Sequence, residues 1–315
     1  MTIKTLISKQ NFIEILDLYD IGKLTDAKAI KQGTVQTNYH IKTTHGEFIF
    51  RYYENRSKES VLFESDLLCF LIQHHYPCPE LIENHSGVFV GFYVDKPYTI
   101  SKFITGKHIR KTTNHHKQQL IQKAAELQTL GKSFYSPHMD SRWNYSASLC
   151  QSLARAEAEK TDSKEAFLKL DWLEKQLSTL ELPESHPKGV CHCDFHFSNV
   201  LFQNDQLTAL IDFDDANITY LTFDLVSLLD AWAWQYPSEK LNLSQARTIV
   251  QTYEKYRPLT AIEKQHLMDV HKLCIFFDCV WFFQRGSVDN FYERKKIEFL
   301  DRLGREGYSK SFFCQ

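Results

Sequence analysis

Apolar residues at Phe12, Ile15, Leu16 and Tyr19 recur at helical spacing and predict an opening helix that ends near Gly22. The pattern then turns strand-like. Ala27–Ile30 and Asn38–Lys42 read as strands joined through Lys31-Gln32-Gly33-Thr34, and Phe48–Tyr52 reads as a third after the turn His45-Gly46. A helix is expected from about Ser57 to His75, burying Val61, Phe63, Leu67, Leu68 and Leu71. Tyr76-Pro77-Cys78-Pro79 stops it, because proline lacks a donor and restrains its predecessor. Gly87–Tyr93 and Tyr98–Phe103 add two strands. Beyond Gly106 the spacing predicts helices over about 114–130, 146–160, 163–180, 221–235, 243–256, 260–284 and 289–303. One island interrupts them: Asn199–Gln203 and Gln206–Phe213, a hairpin turning at Asn204-Asp205. The expected class is α+β, with a strand-rich lobe over 1–104 and a mainly helical lobe over 105–315.

Composition narrows the function classes. Of 315 residues, 43% are hydrophobic and 24% charged, too apolar for global disorder. A net charge of −2 offers no field for nucleic acid or acidic membranes, so neither is expected as a partner. The longest nearly apolar run, Leu273–Phe283, is broken by Asp278 and too short to span a bilayer. The opening residues do not read as a signal peptide, and eight cysteines are too few for a disulfide scaffold, so a reduced, cytoplasmic setting is expected. Gly131-Lys132-Ser133 lacks the earlier glycine of a phosphate loop. The cluster Cys191-His192-Cys193-Asp194-x-His196 lacks a second cysteine pair to close a zinc site.

The strongest signal is His192-Cys193-Asp194-Phe195-His196-Phe197-Ser198-Asn199, followed by Leu210-Ile211-Asp212-Phe213. It matches the catalytic-loop pattern His-x-Asp-x-x-x-x-Asn of kinases, with a metal-binding Asp ending the next hairpin. Phosphoryl transfer needs a carboxylate to orient the acceptor hydroxyl and take its proton, which suits Asp194. Magnesium bridging phosphate oxygens prefers hard oxygen ligands, which Asn199 and Asp212 offer. The further carboxylates Asp214 and Asp215 read as structural or solvated.

The first third supplies candidates for an ATP site. Gly33 and Thr34 open a turn whose backbone amides could lie over phosphates. Arg51 ends the third strand, where a kinase places its phosphate-contacting cation, and Glu64 on the next helix is placed to hold that cation. Ser101 and Phe103 precede the change of composition, where backbone would pair with adenine.

On these residues the chain resembles the aminoglycoside/choline-type phosphotransferase superfamily, and within it the type II homoserine kinases. The resemblance runs nearly end to end. It is carried by Gly33 to Tyr39, Phe50-Arg51-Tyr52-Tyr53-Glu54, the two acidic motifs, Phe223-Asp224-Leu225, Trp232, and the Tyr-x-x-x-Arg-Pro-Leu-Thr-x-x-Glu stretch from Tyr253 to Glu263. It implies a bilobal protein-kinase-like fold, ATP, magnesium and a small hydroxylated acceptor. Departures fall on the acceptor side: Ala231 stands where the family carries Asp, and Val280-Trp281-Phe282-Phe283-Gln284-Arg285 keeps only the last arginine of its late-helix motif. A zwitterionic amino alcohol needs a cation for its carboxylate and an acid for its ammonium. Arg285 is the candidate for the first, and Asp230 near Trp232 for the second. Homoserine is the acceptor the resemblance favours. Choline or ethanolamine, an aminoglycoside, a protein Ser/Thr side chain, and a non-catalytic nucleotide-binding role are the alternatives.

Overall fold

A computed structural model describes residues 5–31 and 35–313. The chain opens with α1 (Lys9–Leu16), whose N-cap Ser8 accepts from the Asn11 N–H. Then come β1 (Leu24–Ala29), β2 (Thr37–Thr43), β3 (Gly46–Tyr52), α2 (Lys58–Gln73), β4 (Val90–Tyr93) and β5 (Lys96–Lys102). The strands form one antiparallel sheet in the order β1-β2-β3-β5-β4. The period of two along β3 buries Phe48, Phe50 and Tyr52 on one face, so Arg51 projects from the other. Phe12 of α1 meets Tyr39 and Phe50 edge-on, and Tyr98 stacks on Phe50 at 4.9 Å. The predicted first helix runs past the real one. Leu18 and Tyr19 continue in tighter turns, and the apolar signal of Tyr19 reflects its packing near Tyr98 rather than helix.

Farther along are α3 (Asn114–Leu130), α4 (Ala147–Thr161), α5 (Lys164–Leu177), β6 (Lys188–Cys191), β7 (Val200–Gln203), β8 (Gln206–Leu210) and β9 (Asn217–Tyr220). The last stretch holds α6 (Phe223–Ala233), α7 (Leu243–Glu254), α8 (Ala261–Gln265), α9 (Leu267–Trp281) and α10 (Tyr292–Phe313). β7 and β8 are the expected hairpin. Asn204 and Asp205 both take positive φ, 50° and 60°, as its two-residue turn requires. Three features depart from expectation. β6 and β9 pair with each other, four residues each and too short for alternation to register. The helix expected over 260–284 is broken at His266, where φ −105° and ψ 12° separate α8 from α9. The last helix continues to Phe313 across a kink at Gly304, whose φ of 68° only glycine adopts readily.

The chain divides into two compact units. The first comprises Met1–Arg110, Phe134–Arg142 and Ser198–Asp214, and so takes in the β7–β8 hairpin; the second comprises Lys111–Ser133, Trp143–Phe197 and Asp215–Gln315. Almost every residue of α9 is buried in the second unit, where Phe277 stacks on Tyr145 at 4.1 Å. Among the described residues no helix is long and apolar enough to cross a membrane.

Candidate active site

In the first unit the hairpin fixes two of the expected metal ligands on adjoining rungs. The Asn199 carbonyl accepts the Ile211 N–H at 2.8 Å, just beyond the Val200–Leu210 pair. Asn199 is buried. Asp212 follows with φ 66°, a left-handed conformation that costs an L-residue about 1 kcal/mol or more. Its side chain is 43% exposed, and Oδ1 accepts Arg51 Nη2 at 2.7 Å.

Arg51 comes off β3 between Asn38 and Thr99 of the neighbouring strands. The same Nη2 lies 3.8 Å from Asp214, and the guanidinium sits over Tyr53. Glu64 is only 3% exposed on the buried face of α2 and accepts the Tyr53 hydroxyl at 3.0 Å. Burial pushes its carboxyl up, opposed by the positive field of Arg51. Hydrogen bonds from Arg51 therefore go to Asp212, while Glu64 acts on it through charge. Ser101 lies buried in β5, and Phe103, just past that strand, stacks on His40 at 4.5 Å. Gly33 and Thr34 lie outside the described residues.

These donors suit a divalent metal with a nucleotide. One exposed carboxylate and one amide match the few protein ligands a metal takes when phosphates complete its shell. Arg51 Nε and Glu64 Oε2 are buried with no hydrogen-bond partner among the described residues, so the cation has bonding capacity left.

Asp194 belongs to the second unit, on the loop leaving β6. Its side chain is exposed, and its N–H points to His192 Nδ1 at 3.3 Å. The loop is held from below by Asp224, fully buried in the first turn of α6. Its two oxygens accept the N–H groups of His192 and Cys193, each at 2.9 Å. Burial pushes the Asp224 carboxyl up, and the neighbouring His192 and both N–H groups pull it back. Cys193 turns with φ 63° and receives Asn217 Nδ2 on its sulfur. Burial pushes that thiol well up, so it is no thiolate ligand.

Of the acceptor-side candidates, Trp232 is buried and stacked on Phe197 at 5.1 Å. Asp230 is bound by Lys296 through both oxygens, at 2.6 and 2.7 Å, with His271 at 3.8 Å. Arg285 is exposed, its guanidinium lies over the Phe282 ring at 3.8 Å, and its carbonyl accepts from Lys169.

Sequence reading gave Asp214 as structural or solvated without its partners, and missed Arg142 and the role of Asp224. Asp214 accepts Arg56 through both oxygens and also Gln36. Arg142, buried, donates to Ser60 in α2 and to the carbonyls of Phe213 and Asp214. Asp224 could have been found, since an acid amid the apolar start of α6 calls for a buried partner. Nothing local marks Arg142.

Comparison with known proteins matches residues 26–259 to the phosphotransferase enzyme family. A homoserine kinase of Bartonella tribocorum is 30% identical over 272 residues, 84% of this chain and 82% of that one. A homoserine kinase of Rhodospirillum rubrum is 32% identical over 266 residues, 84% of this chain and 81% of that one. Among solved structures, the amicoumacin kinase hAmiN in complex with AMP-PNP and Ca²⁺ superposes with a TM-score of 0.65 at 14% identity, covering 96% of this chain and 94% of that one. The spectinomycin phosphotransferase APH(9)-Ia in complex with ADP gives 0.62 at 14%, covering 98% of both. These structural likenesses carry the fold alone, and bear out the expected α+β, protein-kinase-like class. Matched over most of its length, the chain belongs to the phosphotransferase enzyme family, and it is an ATP-dependent phosphotransferase acting on a hydroxyl group.

Proposed function

We propose that the acceptor is L-homoserine. The observation that carries this reading is the nearly end-to-end similarity to curated homoserine kinases, which extends over both units. ATP and Mg²⁺, when bound, supply the γ-phosphoryl group and neutralise its charge. Asn199 and Asp212 would hold the metal, and Arg51 would meet phosphate oxygens. Asp194 accepts the proton of the homoserine hydroxyl as its oxygen bonds to phosphorus and the bond to the ADP oxygen breaks. Asp224 keeps the Asp194 loop fixed by holding its N–H groups. Arg285 takes the substrate carboxylate, its guanidinium being exposed. The ammonium falls to the α6 segment of Asp230 and Trp232, where it competes with Lys296, the internal ammonium already on Asp230. Use of ATP, with the described cysteines all free, suits a cytoplasmic setting.

Coupled ADP release with L-homoserine, choline, ethanolamine and an aminoglycoside tests the substrate. Turnover with homoserine that falls at least tenfold in Arg285→Ala, mainly through KM, is the expected result. Inert homoserine beside active choline or aminoglycoside would sink the proposal.

A further inference from the structure

Two carboxylates and two guanidinium groups meet within the first unit, and they are not equivalent. Asp212 has Arg51 Nη2 at 2.7 Å and is 43% exposed. Asp214, two residues on, is 10% exposed and held from several sides. Arg56 donates Nε to Oδ1 at 3.1 Å and Nη2 to Oδ2 at 2.7 Å, and Gln36 Nε2 lies 3.2 Å from both oxygens. Gln36 is itself pinned, accepting the Glu54 N–H at 2.8 Å and donating to Asn55. Arg142 fixes the backbone carbonyl of Asp214. So immobilised and so bonded, Asp214 is poorly placed to ligate a metal. It is well placed to hold charge. The Arg51 nitrogen on Asp212 lies 3.8 Å from Asp214.

We propose that Asp214 is a positioning residue, a second berth that retains Arg51 when a divalent cation takes Asp212. The inference rests on the metal–nucleotide reading above. A metal arriving at Asp212 shares that carboxylate with Arg51, which holds Oδ1, and its charge repels the guanidinium. With Asp214 in place, the guanidinium keeps a fixed anionic neighbour and stays where phosphate oxygens are to be met. Without it, Arg51 is left to Asp212, and the metal competes with it for that carboxylate. Arg56 tunes the same balance from the other side. Once it is removed, Asp214 has charge to spare, Arg51 leans toward it, and Asp212 is freed.

The consequence is a pair of opposite shifts. Uptake of Mn²⁺ in the presence of AMP-PNP, read as loss of the free-Mn²⁺ electron paramagnetic resonance signal, gives the half-saturating metal concentration without turnover. Asp214→Asn should raise that concentration about tenfold, the scale of losing one charge near the site. Asp214→Glu should recover most of it, and Arg56→Gln should lower it severalfold. A purely structural role would raise it in both Asp214→Asn and Arg56→Gln, and that result overturns the inference, as does an unchanged value in Asp214→Asn. If Asp214→Asn does not fold, as read by near-ultraviolet circular dichroism, Arg56→Gln decides alone: an unchanged or raised value overturns the idea. Wild-type protein taking up no Mn²⁺ with AMP-PNP would instead overturn the metal–nucleotide reading, and this inference with it.

Discussion

Asp278 shows how one buried side chain can set a pH dependence. It lies in α9, and burial, with the charges of Asp230 and Glu293, pushes its carboxyl up to about 7, against Lys296 and Arg285. Its ordinary value is 3.8, so between about pH 4 and 7 the folded chain holds a proton that the unfolded chain has released. Stability from this group is therefore full below the ordinary value and is lost as pH rises through about 7. The loss is on the order of 4 kcal/mol at most, since Lys296 is shared with Asp230. Burial pushes the His271 imidazole down, which works in the opposite sense below its ordinary value, so the wild-type curve alone does not isolate Asp278. Comparison with Asp278→Asn does. The variant's lead over wild type in thermal midpoint should be small near pH 4 and grow to several degrees at pH 8. A gap that stays constant across that range would mean Asp278 ionises normally.

At the level of elements, what was legible in the sequence was whatever repeats with a regular period or carries a fixed spacing. The helix expected over 114–130 is α3 to the residue, because a capping box at Thr113 and His116 coincides with its apolar stripe. Asn199 and Asp212 flank a hairpin whose turn residues gave it away. The break at His266 was hidden, since a single non-helical residue leaves the apolar period almost intact. The direct partner of Arg51 was hidden too: spacing pointed to Glu64, whereas the bond goes to Asp212, 161 residues away. The stretch from Tyr253 to Glu263 also changes meaning. Arg257 donates to the Tyr253 hydroxyl at 3.1 Å and to Glu263, which closes a capping box with Thr260 at the start of α8. Tyr253 in turn bonds Gln128 of α3. It is a brace joining three helices of the second unit. Glu263→Ala leaves a buried guanidinium without its charge partner and should cost about 3–5 kcal/mol in chemical denaturation. kcat per folded molecule should be nearly unchanged; a selective loss of kcat at full stability would assign the stretch to catalysis instead.

For the whole molecule, the division into two units separates tasks that a linear reading runs together. Asp194 and Asn199 are five residues apart in sequence, yet Asp194 belongs to the second unit and Asn199 to the first. Every described residue assigned to nucleotide or metal (Arg51, Glu64, Ser101, Phe103, Asn199 and Asp212) lies in the first. Asp194, proposed as the proton acceptor, and the residues proposed for the acceptor molecule lie in the second. Binding of the nucleotide and delivery of its phosphoryl group should therefore fail separately. Asp212→Ala removes the exposed carboxylate and leaves Arg51 with Asp214 and Glu64 as its remaining anions. Mg²⁺-dependent ATP binding by calorimetry should weaken at least tenfold, with turnover falling in step, and Asn199→Ala should be milder because an amide offers the metal no charge. Asp194→Asn keeps size and shape on a loop that Asp224 grips by its backbone, so the loop has no reason to move. There ATP affinity should stay within about twofold while kcat falls by two or more orders of magnitude, the usual scale for a lost general base. Near-normal turnover in Asp194→Asn would remove it from the chemistry, and unchanged Mg²⁺-dependent binding in Asp212→Ala would remove that carboxylate from the metal.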